Sequence, residues 1–357
     1  MEKEHYRNHK VYKGNISYPI MLDKIVKIEE GIDLIESFTF FENRIYASSE
    51  TYLVCYDALT KEIVWEKRDL CDENYAPVGI ENGRLFAYIN NHPSCLNSET
   101  GDILWQCEEE HYLLGASDNY LYCRESDTVI CRGKHQGNEI WRLTTHGALN
   151  SVAAEDGIVL IDGFEGYHVC EEETGKVLWE ERRDHFLNQY FNGKNYGLFA
   201  ILGPLVNGVF YVGFEGGLLV AIDARTGELK WGYELEKPDQ PDTIICKADK
   251  LFFDIDQGFL TRNYLTCLDI KTGKLISQTI ENFSPFGGRS PILVGKYILE
   301  GCGQYLSFYD TEKLEFVYQF KHKKKINMFG SISHACEDRL ITYNNASKEL
   351  YWFKSKN

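Results

Sequence analysis

The chain has 357 residues, with 38 Lys and Arg against 54 Asp and Glu, for a net charge of −16. That balance excludes a general nucleic-acid binder, which must neutralise phosphates with a basic face. At 43% hydrophobic and 14% aromatic the chain can bury a large core, which excludes disorder over most of its length and fits a single all-β domain over 1–357.

The chain opens MEKEHYRNHKVYKGNISYPIMLDK, where no apolar run of signal-peptide length follows a basic start. No export, lipidation or membrane span is therefore expected, and the expected location is the cytoplasm. The stretch ISYPIMLDKIVKIEE within residues 1–34 has the alternation of a strand. Eleven cysteines, the first at Cys55, form an odd set without CxxC. Free thiols in a reducing compartment are the expectation.

From there one segment recurs seven times. YDALTKEIVW ends at Trp65, LNSETGDILW at Trp105, RGKHQGNEIW at Trp141, CEEETGKVLW at Trp179, IDARTGELKW at Trp231, LDIKTGKLIS at Ser277 and YDTEKLEFVY at Tyr318. The anchors lie 40, 36, 38, 52, 46 and 41 residues apart, and five of the six tryptophans occupy them. Four residues before the anchor stands Lys61, Gly101, Gly137, Gly175, Gly227, Gly273 or Leu314; eight before it stands Asp57, Asn97, Gly133, Glu171, Asp223, Asp269 or Asp310. An acid-rich start followed by glycine between β-rich runs predicts a hairpin, in which Asx chemistry opens the turn and Gly takes positive φ.

Upstream of each hairpin lie further strands, clearest in VNGVFYVGFEGGLLVAIDARTGELKWGYEL around 206–235. Four strands in a unit of about 40–45 residues make a propeller blade, whose open edges are removed by radial arrangement. After the seventh unit, residues 328–357 supply three more strands without a fourth. The predicted fold is an all-β, eight-bladed propeller of four-stranded antiparallel blades, with the last blade closed by the N-terminal segment and seven blades as the alternative.

These repeats resemble the pyrroloquinoline-quinone-type propellers with tryptophan-docking repeats, shared by quinoprotein alcohol dehydrogenases and non-catalytic outer-membrane assembly propellers. Ala221, Gly227 and Trp231 match that family's Ala, Gly, Trp spacing in full. The resemblance implies that Trp65, Trp105, Trp141, Trp179 and Trp231 rivet neighbouring blades, and that the girdle is weaker around blades 6 and 7, where Ser277 and Tyr318 replace Trp. It does not fix a function, because one fold serves enzymes, scaffolds and receptors. The position ten before the anchor holds Cys55, Cys95, Cys131, Val169, Ala221, Cys267 and Phe308. Cysteines on separate blades are too far apart for disulfides, so they read as small buried hydrophobes.

The family's quinone enzymes would need a vicinal Cys-Cys pair, a Trp floor, calcium ligands and a secretion signal; this chain has no Cys-Cys, and its single non-anchor tryptophan is Trp352. No quinone or other cofactor, no metal and no catalytic residue is expected. The assembly lipoprotein fits poorly for want of an export signal and an acylated cysteine. No GxSxG, P-loop or dinucleotide fingerprint occurs, and the ten histidines show no ligand spacing. Asp254 and Asp256 in DIDQG faintly resemble a calcium loop but lack its closing glutamate, and read as a turn.

With strands named A to D outward from the axis, B–C loops and D–A links share one face. The long insertions fall there: the link RRDHFLNQYFNGKNYG (182–197), the B–C loop DIDQGFLTRNY (254–264) and the link NFSPFGGRSP (282–291). They carry His185, Phe186, Tyr190, Phe191, Tyr196, Arg262, Tyr264, Phe286 and Arg289. Aromatics with Arg suit an interface hot spot, although they can equally fill the space beneath their own loops. The basic run Lys321 to Lys325 reads as solvent-facing.

The expected function is therefore a non-enzymatic, monomeric, protein-binding scaffold that recognises a basic partner through the loop face of blades 5 to 7, an immunity-type inhibitor being one form of it. Its acidic surface would speed encounter with such a partner. No nucleic-acid or membrane partner is expected. The rival is a small-molecule or sugar-binding enzyme or sensor with its site in the central channel.

Overall fold

The computed structural model describes residues 11–12, 20–27, 37–41, 43–49, 52–57, 60, 62–68, 79–145, 147–191, 196, 200–236, 240–256, 264–280, 289–302, 305–321, 332–336, 339–344 and 349–355. Each predicted repeat is a hairpin built as its residues dictate. In the second, the Asn97 Oδ1 accepts the backbone N–H groups of Glu99 and Thr100 at 2.9 and 3.1 Å; Asp223 and Asp269 do the same for the residues two and three ahead of them. The chain then turns back through a residue at positive φ, Gly101 at 74° and Gly227 at 74°, where a side chain is costly. The A–B turns use another device. Asn82-Gly83, Asp156-Gly157 and Asn207-Gly208 all have φ > 0 at both positions, the geometry that matches strand twist in two-residue hairpins.

Among the described residues the sheets number eight, each with four antiparallel strands from these hairpins. Blade 1 runs Ser37–Lys67, blade 2 Gly79–Gln106, blade 3 Tyr112–Thr144, blade 4 Leu149–Arg182, blade 5 Ala200–Glu234, blade 6 Gln240–Ile280 and blade 7 Arg289–Lys321. Blade 8 takes three strands from Ile332–Ser355, and its fourth, outermost position is held by Ile20–Lys27, antiparallel to Glu349–Ser355. Blade 7 carries a fifth strand, Val11–Tyr12, parallel to Leu293–Val294 on its inner edge. The A strands of blades 3 to 8 touch in succession, and that of blade 8 touches that of blade 1, which sets A nearest the axis. Among the described residues no helix is long and apolar enough to cross a membrane.

The indoles fasten five seams alike. Trp65 Nε1 donates to the Ser98 carbonyl at 2.8 Å, Trp105 to Lys134 at 3.0 Å, Trp141 to Glu172 at 2.8 Å, Trp179 to Ala224 at 2.9 Å and Trp231 to Ile270 at 3.1 Å, each in the next blade. Each ring also lies on that blade's turn glycine, so closely that a Cβ there would come within 2.5–3.0 Å of it. Glycine is thus required twice over, by φ and by the indole. Directly across the C–D pair from each anchor sits the residue ten before it: Cys55 opposite Trp65, Cys95 opposite Trp105, Cys131 opposite Trp141, Cys267 opposite Ser277. These four thiols are fully buried, and the eight cysteines among the described residues that can be assigned are free.

Two expectations are corrected. Asp254 and Asp256 lie in strand B of blade 6 (Lys250–Asp256), with Asp254 buried, rather than in a turn. Within the link that starts at Arg182, Arg183–Phe191 forms helix α1 and is no open loop.

Candidate functional site

Helix α1 sits on the face of the B–C loops and D–A links, at the seam of blades 4 and 5. Its residues 183, 186, 187, 190 and 191 follow helical spacing, so one side can turn inward. Phe186 and Leu187 enter a buried cluster with Ile158, Leu160 and Tyr167 of blade 4 and Phe210, Phe214 and Leu218 of blade 5. Phe186 stacks on Phe214 at 6.4 Å and meets Tyr190 at 5.0 Å. Phe191 lies over Gly232, where a Cβ would come within 2.8 Å of its ring, and Tyr196 meets Phe191 edge-on at 6.1 Å.

Arg183 starts the helix and is buried with 1% of its side chain exposed. Its guanidinium pairs with the buried carboxylate of Asp162 at the end of strand B, lies 5.1 Å over the Tyr167 ring and donates to the Phe164 carbonyl at 3.4 Å. Burial pushes the Asp162 carboxyl up, against the pull of Arg183. A charge pair this deep is worth keeping only when both members stay bonded. Sequence reasoning missed Arg183 and Asp162; the available signal was an Arg that falls on the same helical stripe as Phe186, Leu187 and Tyr190.

Outside this anchor, a cavity of about 280 Å³ opens between the helix start and the outer strands of blade 4, lined by Glu165, Tyr167, His168, Glu180, Glu181 and His185 among others. His168 Nε2 lies 3.4 Å from Glu180, and His185 Nδ1 lies 2.7 Å from Glu181. Arg182 reaches Glu165 at 3.6 Å and Asp184 at 3.2 Å, and that contact holds the Asp184 carboxyl below the usual range. Carboxylates in this setting accept hydrogen bonds from cations. Among the described residues no group of three or more His, Cys, Asp or Glu is placed to hold a metal ion.

The predicted partner residues therefore separate. His185 and Tyr190 are exposed, Phe191 and Tyr196 are half-buried, and Phe186 is buried at 2% exposure, so it belongs to the core under α1 and not to a contact surface. Tyr264 opens strand C of blade 6 and Arg289 opens strand A of blade 7, both strand ends on the same face as α1. Arg262 and Phe286 lie outside the described residues, as does the basic run beyond Lys321. The helix itself spans the seam of blades 4 and 5.

Known proteins share this architecture. The structure of BamB from Moraxella catarrhalis superposes with a TM-score of 0.66 at 16% identity, covering 94% of this chain and 99% of that one. Tetrathionate hydrolase from Acidithiobacillus ferrooxidans is 24% identical over 257 residues, 62% of this chain and 48% of the relative. Outer membrane protein assembly factor BamB from Nitrosomonas eutropha is 26% identical over 136 residues, 29% of this chain and 33% of the relative. The matches thus span less than half the length of these curated relatives. A family model described as outer membrane protein assembly factor BamB matches residues 94–299. That stretch holds blades 3 to 6 whole with their indole rivets and is more than half of the chain, which therefore belongs to this family of pyrroloquinoline-quinone-type propellers.

Proposed function

We propose that the protein is a non-enzymatic scaffold that binds a basic protein partner on the face carrying α1. The observation that carries this reading is the cavity beside an exposed helix surface: Glu165, Glu180 and Glu181 line it with Arg182 and His185, and Asp184 and Tyr190 stand exposed next to it. The net charge of −16 favours encounter with a cationic partner. Membership of a family described by an assembly factor supports protein binding over catalysis. Tyr264 and Arg289, at the same face, would extend the contact toward blades 6 and 7. A finer form of the proposal is an immunity-type protein that works in the cytoplasm against a basic toxin of its own cell, supported by the acidic charge.

The test is capture of partners from native lysate at low and high salt, with Glu165→Lys/Glu180→Lys/Asp184→Lys as the control. These positions are exposed, so the variant should keep its fold. A basic partner that is lost at high salt and lost in the variant supports the reading. A partner retained by the variant moves the site elsewhere, and thermal stabilisation by one metabolite, independent of salt, would favour a channel ligand.

A further inference from the structure

The seam between blades 6 and 7 departs from the other riveted seams at two positions that belong together. Ser277 stands where the indole would be, and Leu314 stands where the receiving glycine would be. Leu314 keeps the glycine geometry, at φ 60° with its N–H on the Asp310 carbonyl at 2.8 Å. The turn is therefore intact. The strand-to-turn bond has changed: with no indole, Thr279 Oγ1 donates to the Leu314 carbonyl at 3.3 Å. The vacated space is filled from the following blade. Tyr309 meets Phe252, the aromatic of strand B in blade 6, at 6.1 Å, and packs on Phe316 at 5.2 Å. Phe252 is the counterpart of Tyr46, Phe86, Tyr122 and Tyr211, which lie beside the indoles of their own blades.

We propose that the ring is built to open between blades 6 and 7, as a gate whose two sides are held, in place of an indole rivet, by apolar packing and by side-chain hydrogen bonds that can swing away, Thr279 to the Leu314 carbonyl and Lys247 to the Gly295 carbonyl. Opening there bares the facing strands, Leu275–Ile280 of blade 6 and Tyr305–Asp310 of blade 7, whose ladder bonds to Tyr264–Asp269 and Glu315–Lys321 then fray in water. The five indoles would have to leave both a carbonyl and a glycine surface before their seams could part. Ser277 and Leu314 are coupled by geometry. An indole at 277 would strike the Leu314 Cβ, as it would strike a Cβ at Gly101 or Gly137, and glycine at 314 alone would leave a hole.

The test is native-state hydrogen exchange of the full chain, read by mass spectrometry, on wild type and on Ser277→Trp, Leu314→Gly and the double variant. In wild type, amides of strand D in blade 6 and strand C in blade 7 should exchange at least about tenfold faster than their counterparts in blades 2 and 3, the ratio set by local opening. The double variant should restore protection toward that of the riveted seams, and both single variants should exchange faster than it does. Equal protection of all seams in wild type would overturn the proposal, whether or not the variants fold. So would a double variant no better protected than either single one.

Discussion

The seams between blades 2 and 3 and between blades 4 and 5 share an indole on a glycine and are otherwise finished in opposite ways. At the first, the link is the short run from Cys107 to His111, and charged side chains fill the space. Arg132 donates to the Gly137 carbonyl at 3.0 Å and to Glu109 at 3.0 Å, with its Nη2 3.2 Å from His111 Nδ1; Lys134 reaches Glu81 at 2.9 Å. At the second, the long link supplies α1, whose Phe186, Leu187 and Phe191 seal the seam with hydrocarbon around the buried Arg183–Asp162 pair. The rivet sets how the blades join, and link length sets what else the seam can hold.

The largest effect should come from Asp162→Ala, which strands Arg183 in the hydrocarbon seam; a loss of about 3–5 kcal/mol is expected from denaturant unfolding. Arg183→Met in the same background should recover most of it, since the orphaned charge is then gone. Next, Trp105→Ala should cost about 3 kcal/mol, below a fully buried tryptophan because this ring is half-exposed. A loss under about 1 kcal/mol would show that the charged network alone holds the seam. Gly137→Ala should cost roughly 2 kcal/mol, because the new Cβ meets φ 71° and the Trp105 ring together.

The smallest effect is a pH dependence confined to the charged seam. Burial holds the His111 imidazole below its ordinary value, and Arg132 pushes the same way against Glu125 and Glu109. The unfolded chain then takes the proton first. The stabilisation is complete above the unfolded value of about 6.5 and is lost as pH falls from there through the folded value. Thermal midpoints at pH 7.5 and 5.5 should fall further in wild type than in His111→Gln, and equal falls would remove His111 from the account.

Much of this was legible in the residues. The anchor spacing, the Asx-Gly turns and the count of eight blades follow from backbone chemistry repeated at nearly constant intervals, and each indole fastens the neighbouring blade as the resemblance implied. Helix α1 was harder to read. Its stripe begins with an arginine and its link ends in Asn and Gly, so the polar start hid a spacing that Phe186, Leu187, Tyr190 and Phe191 spell out. For Phe186 the sequence left two places open, a contact surface and the space beneath its own loop. Whether an aromatic in a link faces a partner or the core depends on what the neighbouring blades leave open, and for Phe186 that was a gap bounded by Phe214, a long way along the chain.

The cysteines opposite the anchors turn the ring into its own recording device. Burial pushes the Cys55 thiol up to about 12, Cys95 to about 11 and Cys267 to about 12, so the reactive thiolate is scarce while each blade stays closed. Blades 1, 2, 3 and 6 each carry one such thiol at the same depth and in the same register. An alkylating reagent would therefore mark the order in which individual blades come apart, with no label added to the chain.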